Sequence, residues 1–205
     1  MASALALALA LTAAPSRGLA SDNDGFYDRF NGDLVLTLEA NSGLLESPSG
    51  LRPYVSVAAR TRYLGMIGLC LAYDRALSGP RTDALWLATD FRPFMAARIN
   101  FDMQHGPRWL DLTLDSIGLD LGVAWLRPGE PLRQGGGLGL VLGTGVELPL
   151  VWRDGRAVLL RLEGRWISSH PWIPQGTGRE EYLWEAGIGI VVRTMVLARV
   201  YGRHD

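Results

Sequence analysis

The 205-residue chain is predicted to be all-β: an antiparallel up-and-down barrel of eight strands, each able to cross a membrane. Three observations predict it. Hydrophobicity alternates with a period of two through most of the chain after residue 32, several alternating stretches run to nine residues or more, and the charges within them keep to one face. Composition agrees. With 48% hydrophobic and 20% charged residues the chain is too regularly interrupted for a helical membrane bundle. Its 25 Gly and mean hydropathy of +0.10 do not suit a disordered tail. All 20 basic residues are Arg, and a net charge of −1 gives no reason to expect a nucleic-acid partner.

The first segment reads as an address. Residues 1–20 are MASALALALALTAAPSRGLA, with an apolar run from Ala4 to Ala14 that is too short to span a bilayer as a helix but suits a secretory leader. Gly18 and Ala20 have the small-x-small spacing of a cleavage site, and cleavage after Ala14 is the alternative. No basic residue precedes the run, so the leader is atypical or its start lies upstream. The polar restart at Ser21-Asp22-Asn23-Asp24-Gly25 favours export over an Ala/Leu tail or a core helix. The lone Cys70 fits an exported chain without a disulfide framework. The expected organisation is a signal peptide over 1–20, an N-terminal segment over 21–32 and a barrel over 33–205.

The strands follow in order. In 33–41, Leu34, Leu36, Leu38 and Ala40 oppose Val35, Thr37, Glu39 and Asn41; in 53–62, Val55, Val57 and Ala59 oppose Tyr54, Ser56, Ala58, Arg60 and Arg62. Ile67, Leu69, Leu71 and Tyr73 oppose Gly68, Cys70, Ala72 and Asp74 in 66–74. The stretch 84–101 sets Leu85, Leu87, Phe91, Met95, Ala97, Ile99 and Phe101 against Trp86, Asp90, Arg92, Arg98 and Asn100. Leu119, Leu121 and Val123 oppose Gly118, Asp120, Gly122 and Ala124 in 117–125, and Leu140, Leu142, Val146 and Leu148 oppose Gly139, Gly143, Gly145 and Glu147 in 138–150. Finally, Leu160, Leu162 and Trp166 oppose Arg161, Glu163 and Arg165 in 158–168, and Trp184, Ile188, Ile190, Val192 and Val196 oppose Glu185, Gly187, Gly189, Arg193 and Arg199 in 182–201.

Length and connections select the architecture. Soluble strands average about five or six residues, whereas a tilted membrane strand needs about 9–11. Tight turns are expected at 63–65 and 152–156, and long Gly-, Pro- and Ser-rich connections at 42–52, 75–83, 126–137 and 169–181. With the N-terminus periplasmic, all four long connections fall outside, as in outer-membrane barrels. Residues 102–116 break the rule. Parity flips near Ser116, through a bulge or through a short helix over 107–115 begun at Pro107. Pro93 and Pro149 each remove a ladder hydrogen bond, so a bulge or a shorter strand is expected at each.

The charged faces carry Glu39, Arg60, Arg62, Asp74, Asp90, Arg92, Arg98, Asp120, Glu147, Arg161, Glu163, Arg165, Glu185, Arg193 and Arg199, seven acids and eight arginines, and the apolar faces carry none. A charge facing lipid near the midplane costs about 2–4 kcal/mol, so the charged face is read as the lumen and these groups as a structural ion-pair network. Eight strands enclose only enough room for side chains. Lumenal Gly at 68, 118, 122, 139, 143, 145, 187 and 189 make space for the arginines, and Trp125, Trp152, Trp166, Trp172 and Trp184 lie at or near strand ends, where indoles suit the membrane interface.

On this architecture, over residues 33–201, the chain resembles the small eight-stranded outer-membrane β-barrels of Gram-negative bacteria, the OmpA/OmpX-like class. It departs from that class at the end, where Tyr201 is followed by Gly202-Arg203-His204-Asp205 instead of a terminal aromatic. The texture around Gly106-Pro107-Arg108-Trp109 also resembles uncharacterised exported proteins of myxobacterial type. The resemblance implies an outer-membrane location and brings no activity.

Candidate chemistry is thin. Ser168 and His170, spaced to share a strand face, precede Glu180-Glu181 on an outer loop, and rim lipid hydrolases of eight strands use a Ser, a His and a carboxylate there. They are the only catalytic candidates, and none is assigned. Asp111 and Asp115 read as a solvated helix face in preference to a metal site. No phosphate cradle, metal-ligand spacing or nucleophile elbow appears. The expected protein is a non-catalytic monomeric barrel with a plugged lumen, touching outer-membrane lipid, with no cofactor, no metal and no nucleic acid. Its structural or surface role competes with a narrow channel, a rim lipid hydrolase using His170, and a soluble lipocalin-like barrel.

Overall fold

The computed structural model describes residues 34–47, 50–78, 83–100, 108–127, 137–153, 156–168 and 182–196. The expected leader, the segment 21–32 and Arg199 lie outside them. Eight strands run in order: β1 (Leu34–Ser47), β2 (Gly50–Tyr63), β3 (Ile67–Ala76), β4 (Asp83–Phe91), β5 (Gly118–Arg127), β6 (Gly137–Arg153), β7 (Arg156–Ser168) and β8 (Tyr182–Val196). Each pairs antiparallel with the next, and β1 pairs with β8 from Leu34↔Val196 to Glu46↔Trp184, closing the barrel. Closure removes both sheet edges and satisfies the wall backbone internally, which lets an outer surface of strand face hydrocarbon.

One end of the barrel, the termini end, holds Leu34, Val196 and the connections 64–66 and 154–155. In the first of these turns Leu64 and Gly65 take positive φ (50° and 70°) and Met66 N–H donates to Tyr63 O at 3.0 Å, as in the primed turns that match strand twist. The other end holds the connections after β1, β3, β5 and β7. The expectation of four long loops there is corrected at the first. Residues 42–52 continue the ladder to Ser47↔Gly50, leaving only 48–49 between the strands. Pro53 is tolerated because β3 has ended beside it, and its carbonyl accepts Leu77 N–H at 2.8 Å.

The prolines resolve as two different devices. At Pro149 the β6–β7 register shifts by a bulge between Pro149 and Val151. Pro93 instead ends the wall: the expected strand 84–101 stops at Phe91, and α1 (Pro93–Asn100) begins where a proline suits a first helical turn. Met95, Ala97, Ile99, Asn100 and Arg98 are therefore on a helix, so Arg98 is withdrawn from the lumenal strand face. A second helix, α2 (Arg108–Asp115), accounts for the parity flip and decides it in favour of helix over bulge. Asp115 is buried, which corrects its reading as part of a solvated face.

Within the wall the facing is as expected. Leu38, Val57, Leu69, Leu71, Leu87, Leu121, Leu142, Leu162 and Ile190 are exposed, while Glu39, Arg60, Asp74, Asp90, Asp120, Arg161 and Glu185 are buried. Outward parity carries charge only toward strand ends among the described residues, at Glu46, Arg75, Asp83, Arg127, Arg153 and Arg156, with Asp83 in register with both Arg75 and Arg127. Tyr73, Trp125 and Trp184 face outward in the half away from the termini, and Trp184 sits across from Trp166. Trp86 points the other way and is buried.

Gly122 shows how tightly neighbouring strands approach. It lies opposite Ala88, and a Cβ built on it would stand 2.7 Å from the Ala88 Cβ and overlap the Leu87 carbonyl. Gly122→Val is expected to destabilise the barrel by about 2–3 kcal/mol, read as a lowered urea midpoint in lipid vesicles. An unchanged midpoint would show that the β4–β5 approach is looser than described.

Candidate functional site

The one concentration of polar chemistry among the described residues is the lumen. All eight strands send side chains into it, because the period-two alternation that exposes Leu and Ile outward necessarily turns their neighbours inward. Toward the termini end the network converges on Glu147 of β6. Its Oε1 accepts from Arg92 Nη2 at 2.7 Å, Arg62 Nη2 at 3.1 Å and Arg161 Nη1 at 3.1 Å, and its Oε2 accepts from Arg193. Arg60 of β2 spans the lumen, donating from Nε to Glu39 (2.6 Å) and from Nη1 to Asp120 (2.6 Å) and Asp90 (3.2 Å). Arg62 Nε donates to Asp90 at 2.6 Å, and Arg161 Nε donates to Glu163 at 3.1 Å.

Toward the end opposite the termini the proportion reverses. Arg165 Nη1 donates to Asp74 at 2.7 Å and lies 3.0 Å from a Glu185 carboxylate oxygen, while Nη2 donates to Glu163. The Arg165 guanidinium also sits 4.6 Å over the Trp86 ring, and Trp86 Nε1 donates to Asp74 at 2.6 Å. Asn41 Nδ2 reaches Glu163 at 3.1 Å. Above this layer the lumen turns apolar, with buried Leu45, Ala84, Leu126, Val141, Ile167 and Leu183. At the termini end Ala157, Leu159 and Val191 form a second buried apolar group, and Ser116 at the end of α2 ties to β6 by accepting Glu147 N–H at 2.8 Å.

Of the fifteen predicted lumenal residues, thirteen are brought together here. Arg98 is on α1, and Arg199 lies outside the described residues. Asn41, Tyr54 and Trp86, on the same face of their strands as the predicted charges, are buried in the lumen with them, and Arg52 joins them from outside the expected strand 53–62. Arg52 follows the same alternation two residues before Tyr54, in a stretch whose Pro and Gly residues read as a loop. The lumenal glycines serve as expected at two arginines: a Cβ on Gly143 would meet Arg165 Cγ at 2.8 Å, and one on Gly145 would meet the Arg161 guanidinium at 2.6 Å.

This arrangement suits structure better than chemistry. The thirteen charged groups brought together, six arginines and seven acids, are buried and engaged with one another. Ser168 ends β7 half-buried, and His170 and Glu180-Glu181 lie outside the described residues. Cys70 is buried and free. Among the described residues no group of three or more His, Cys, Asp or Glu is placed to hold a metal ion.

No family model matches the sequence, and no curated protein matches it. Solved structures do. Neisserial surface protein A aligns at 12% identity and TM-score 0.42, covering 80% of this chain and 97% of that one. The N-terminal β-barrel domain of Pseudomonas aeruginosa OprF aligns at 12% and 0.42 over 77% and 96%, and the outer membrane protein AlkL, seen in lipid bilayers, at 9% and 0.38 over 91% and 100%. The likeness is one of fold. At such identities the function has to come from this chain's own residues.

Glu147 and Glu185 should therefore behave differently. Glu147→Ala removes the carboxylate shared by four buried guanidinium groups and is expected to cost about 3–5 kcal/mol of unfolding free energy in vesicles. Glu185→Gln leaves Arg165 both Asp74 and Glu163 and is expected to cost no more than about 1 kcal/mol. Equal losses would show that the hub is not centred on Glu147.

Proposed function

We propose that the protein is a non-catalytic barrel of the bacterial outer membrane, exported by its leader, with a lumen plugged by ion pairs and a structural or surface-interaction role. The observation that carries the reading is sidedness. Large apolar side chains cover the outside of a closed wall, far beyond the few hundred Å² of contiguous apolar surface a soluble monomer tolerates, while the charges are inside. A soluble lipocalin-like barrel needs the inverse facing. Lipid of that membrane is the partner of the outer wall, and the closed ring, with no free edge, favours a monomer. The myxobacterial-type resemblance adds an origin to this proposal and no activity.

Against a porin-like channel stands the network itself, which crosses the lumen at every level from Arg193 to Arg165. A rim hydrolase would need Ser168, half-buried at the end of β7, to be activated by His170, which lies outside the described residues.

Four measurements test the reading. Purified protein is expected to require detergent or lipid and to migrate differently on a gel before and after boiling. Full dispersion in buffer without detergent would overturn the membrane assignment. In planar bilayers no unitary conductance of porin size is expected, and labelled lipid A is expected to stay intact with both the wild-type chain and His170→Ala. Cleavage lost in His170→Ala would establish the hydrolase instead.

A further inference from the structure

We propose that α1 and α2 lie in the membrane interface at the termini end, continuing the apolar belt of the wall onto the phospholipid leaflet there. The proposal rests on the membrane reading above, in which that end faces the periplasm.

The wall is lowest where the helices attach. β3, β4 and β5 have 10, 9 and 10 residues, against 14, 14, 17, 13 and 15 for β1, β2, β6, β7 and β8. At about 3.4 Å per residue and a tilt of about 40°, nine residues rise roughly 23 Å, just short of a band about 25 Å tall. These strands have no length to spare.

Their last apolar rung is complete. Phe91 of β4 is in register with Ile67 of β3 and Leu119 of β5, so the three stand side by side on the outer face at the termini end. They are 40%, 49% and 43% exposed. The chain enters α1 two residues after Phe91. Phe94 is then 50% exposed, and Leu110 on α2 is 36% exposed. In water these would be isolated apolar groups; in an interface they would carry on the apolar rung that ends three residues before Phe94.

The helices are tethered at the rim. Arg92 N–H donates to Met66 O at 2.8 Å, and a Cβ on Gly65 would meet Met95 Cε at 3.2 Å, so α1 leans on the β2–β3 turn. α2 is anchored at its end by Ser116 against the Glu147 backbone of β6. Neither tether uses Phe94 or Leu110. α1 also carries no acidic residue, which favours contact with a leaflet containing anionic headgroups.

The test uses full-length chains in which Cys70→Ala is combined with one label site: Phe94→Cys, Ala97→Cys, Leu110→Cys, Leu87→Cys in mid-wall, or Ser78→Cys beyond β3. Each is labelled with bimane, checked for heat-modifiable folding, and reconstituted into phosphatidylethanolamine–phosphatidylglycerol vesicles containing brominated acyl chains. Quenching at 94 and 110 is expected to reach at least half that at 87 and at least threefold that at 78, and position 97 supplies a second reading of α1. Quenching at 94, 97 and 110 equal to that at 78, with 87 strongly quenched, overturns the interfacial docking and leaves the barrel reading intact. If 87 is also unquenched, the membrane reading falls and this inference with it.

Discussion

A guanidinium removed from water has to find carboxylates, and here it finds them only across a closed ring. Desolvating an ion costs several kcal/mol even after relaxation, and a paired group recovers that cost only with good geometry and satisfied hydrogen bonds. Glu147 accepting from four arginines, and Arg60 donating from Nε and Nη1 to acids from three other strands, supply such bonds. If β1 did not pair with β8, these partners would not face one another. Closure and charge pairing are thus one constraint seen from the backbone and from the side chains.

The same constraint fixes what the lumen can do. Eight strands leave an interior the size of the side chains that fill it, and here the filling is ionic in the middle and apolar toward both ends. A lumen of that kind is a fastener. It ties β2 to β6 and β3 to β7 through bonds between residues 85 and 91 positions apart in sequence, beyond the reach of neighbouring-strand ladders. Specificity of register follows as well: slipping any strand by one residue would turn its lumenal charges to the outer face and its apolar side chains into the network.

Most of this was legible in the sequence because period two is a strong signal when both faces are chemically extreme. Leu69, Cys70, Leu71 and Ala72 give the facing of β3 without ambiguity. The signal failed where local chemistry overrode it. From Phe91 onward Met95, Ala97 and Ile99 continue the alternation, but Pro93 lacks the ladder N–H and suits a helical first turn, so the wall stops and α1 starts. It failed again over 42–52, where Ser42, Gly43 and Gly50 look like loop residues yet sit in the β1–β2 ladder. Asp115 was misread because exposure on α2 depends on β6 packing beside it, a contact that sequence spacing does not encode.

Sidedness is the claim from which the membrane reading, the plugged lumen and the interfacial helices all descend. Its most direct measurement is methyl NMR of the unmodified chain in lipid nanodiscs, looking for Overhauser contacts between Leu, Ile and Val methyls and lipid acyl-chain protons. Leu142 and Ile190 should show such contacts, while their immediate neighbours Val141 and Val191 should show none. Lipid contacts at Val141 and Val191 with silence at Leu142 and Ile190 would contradict the account outright.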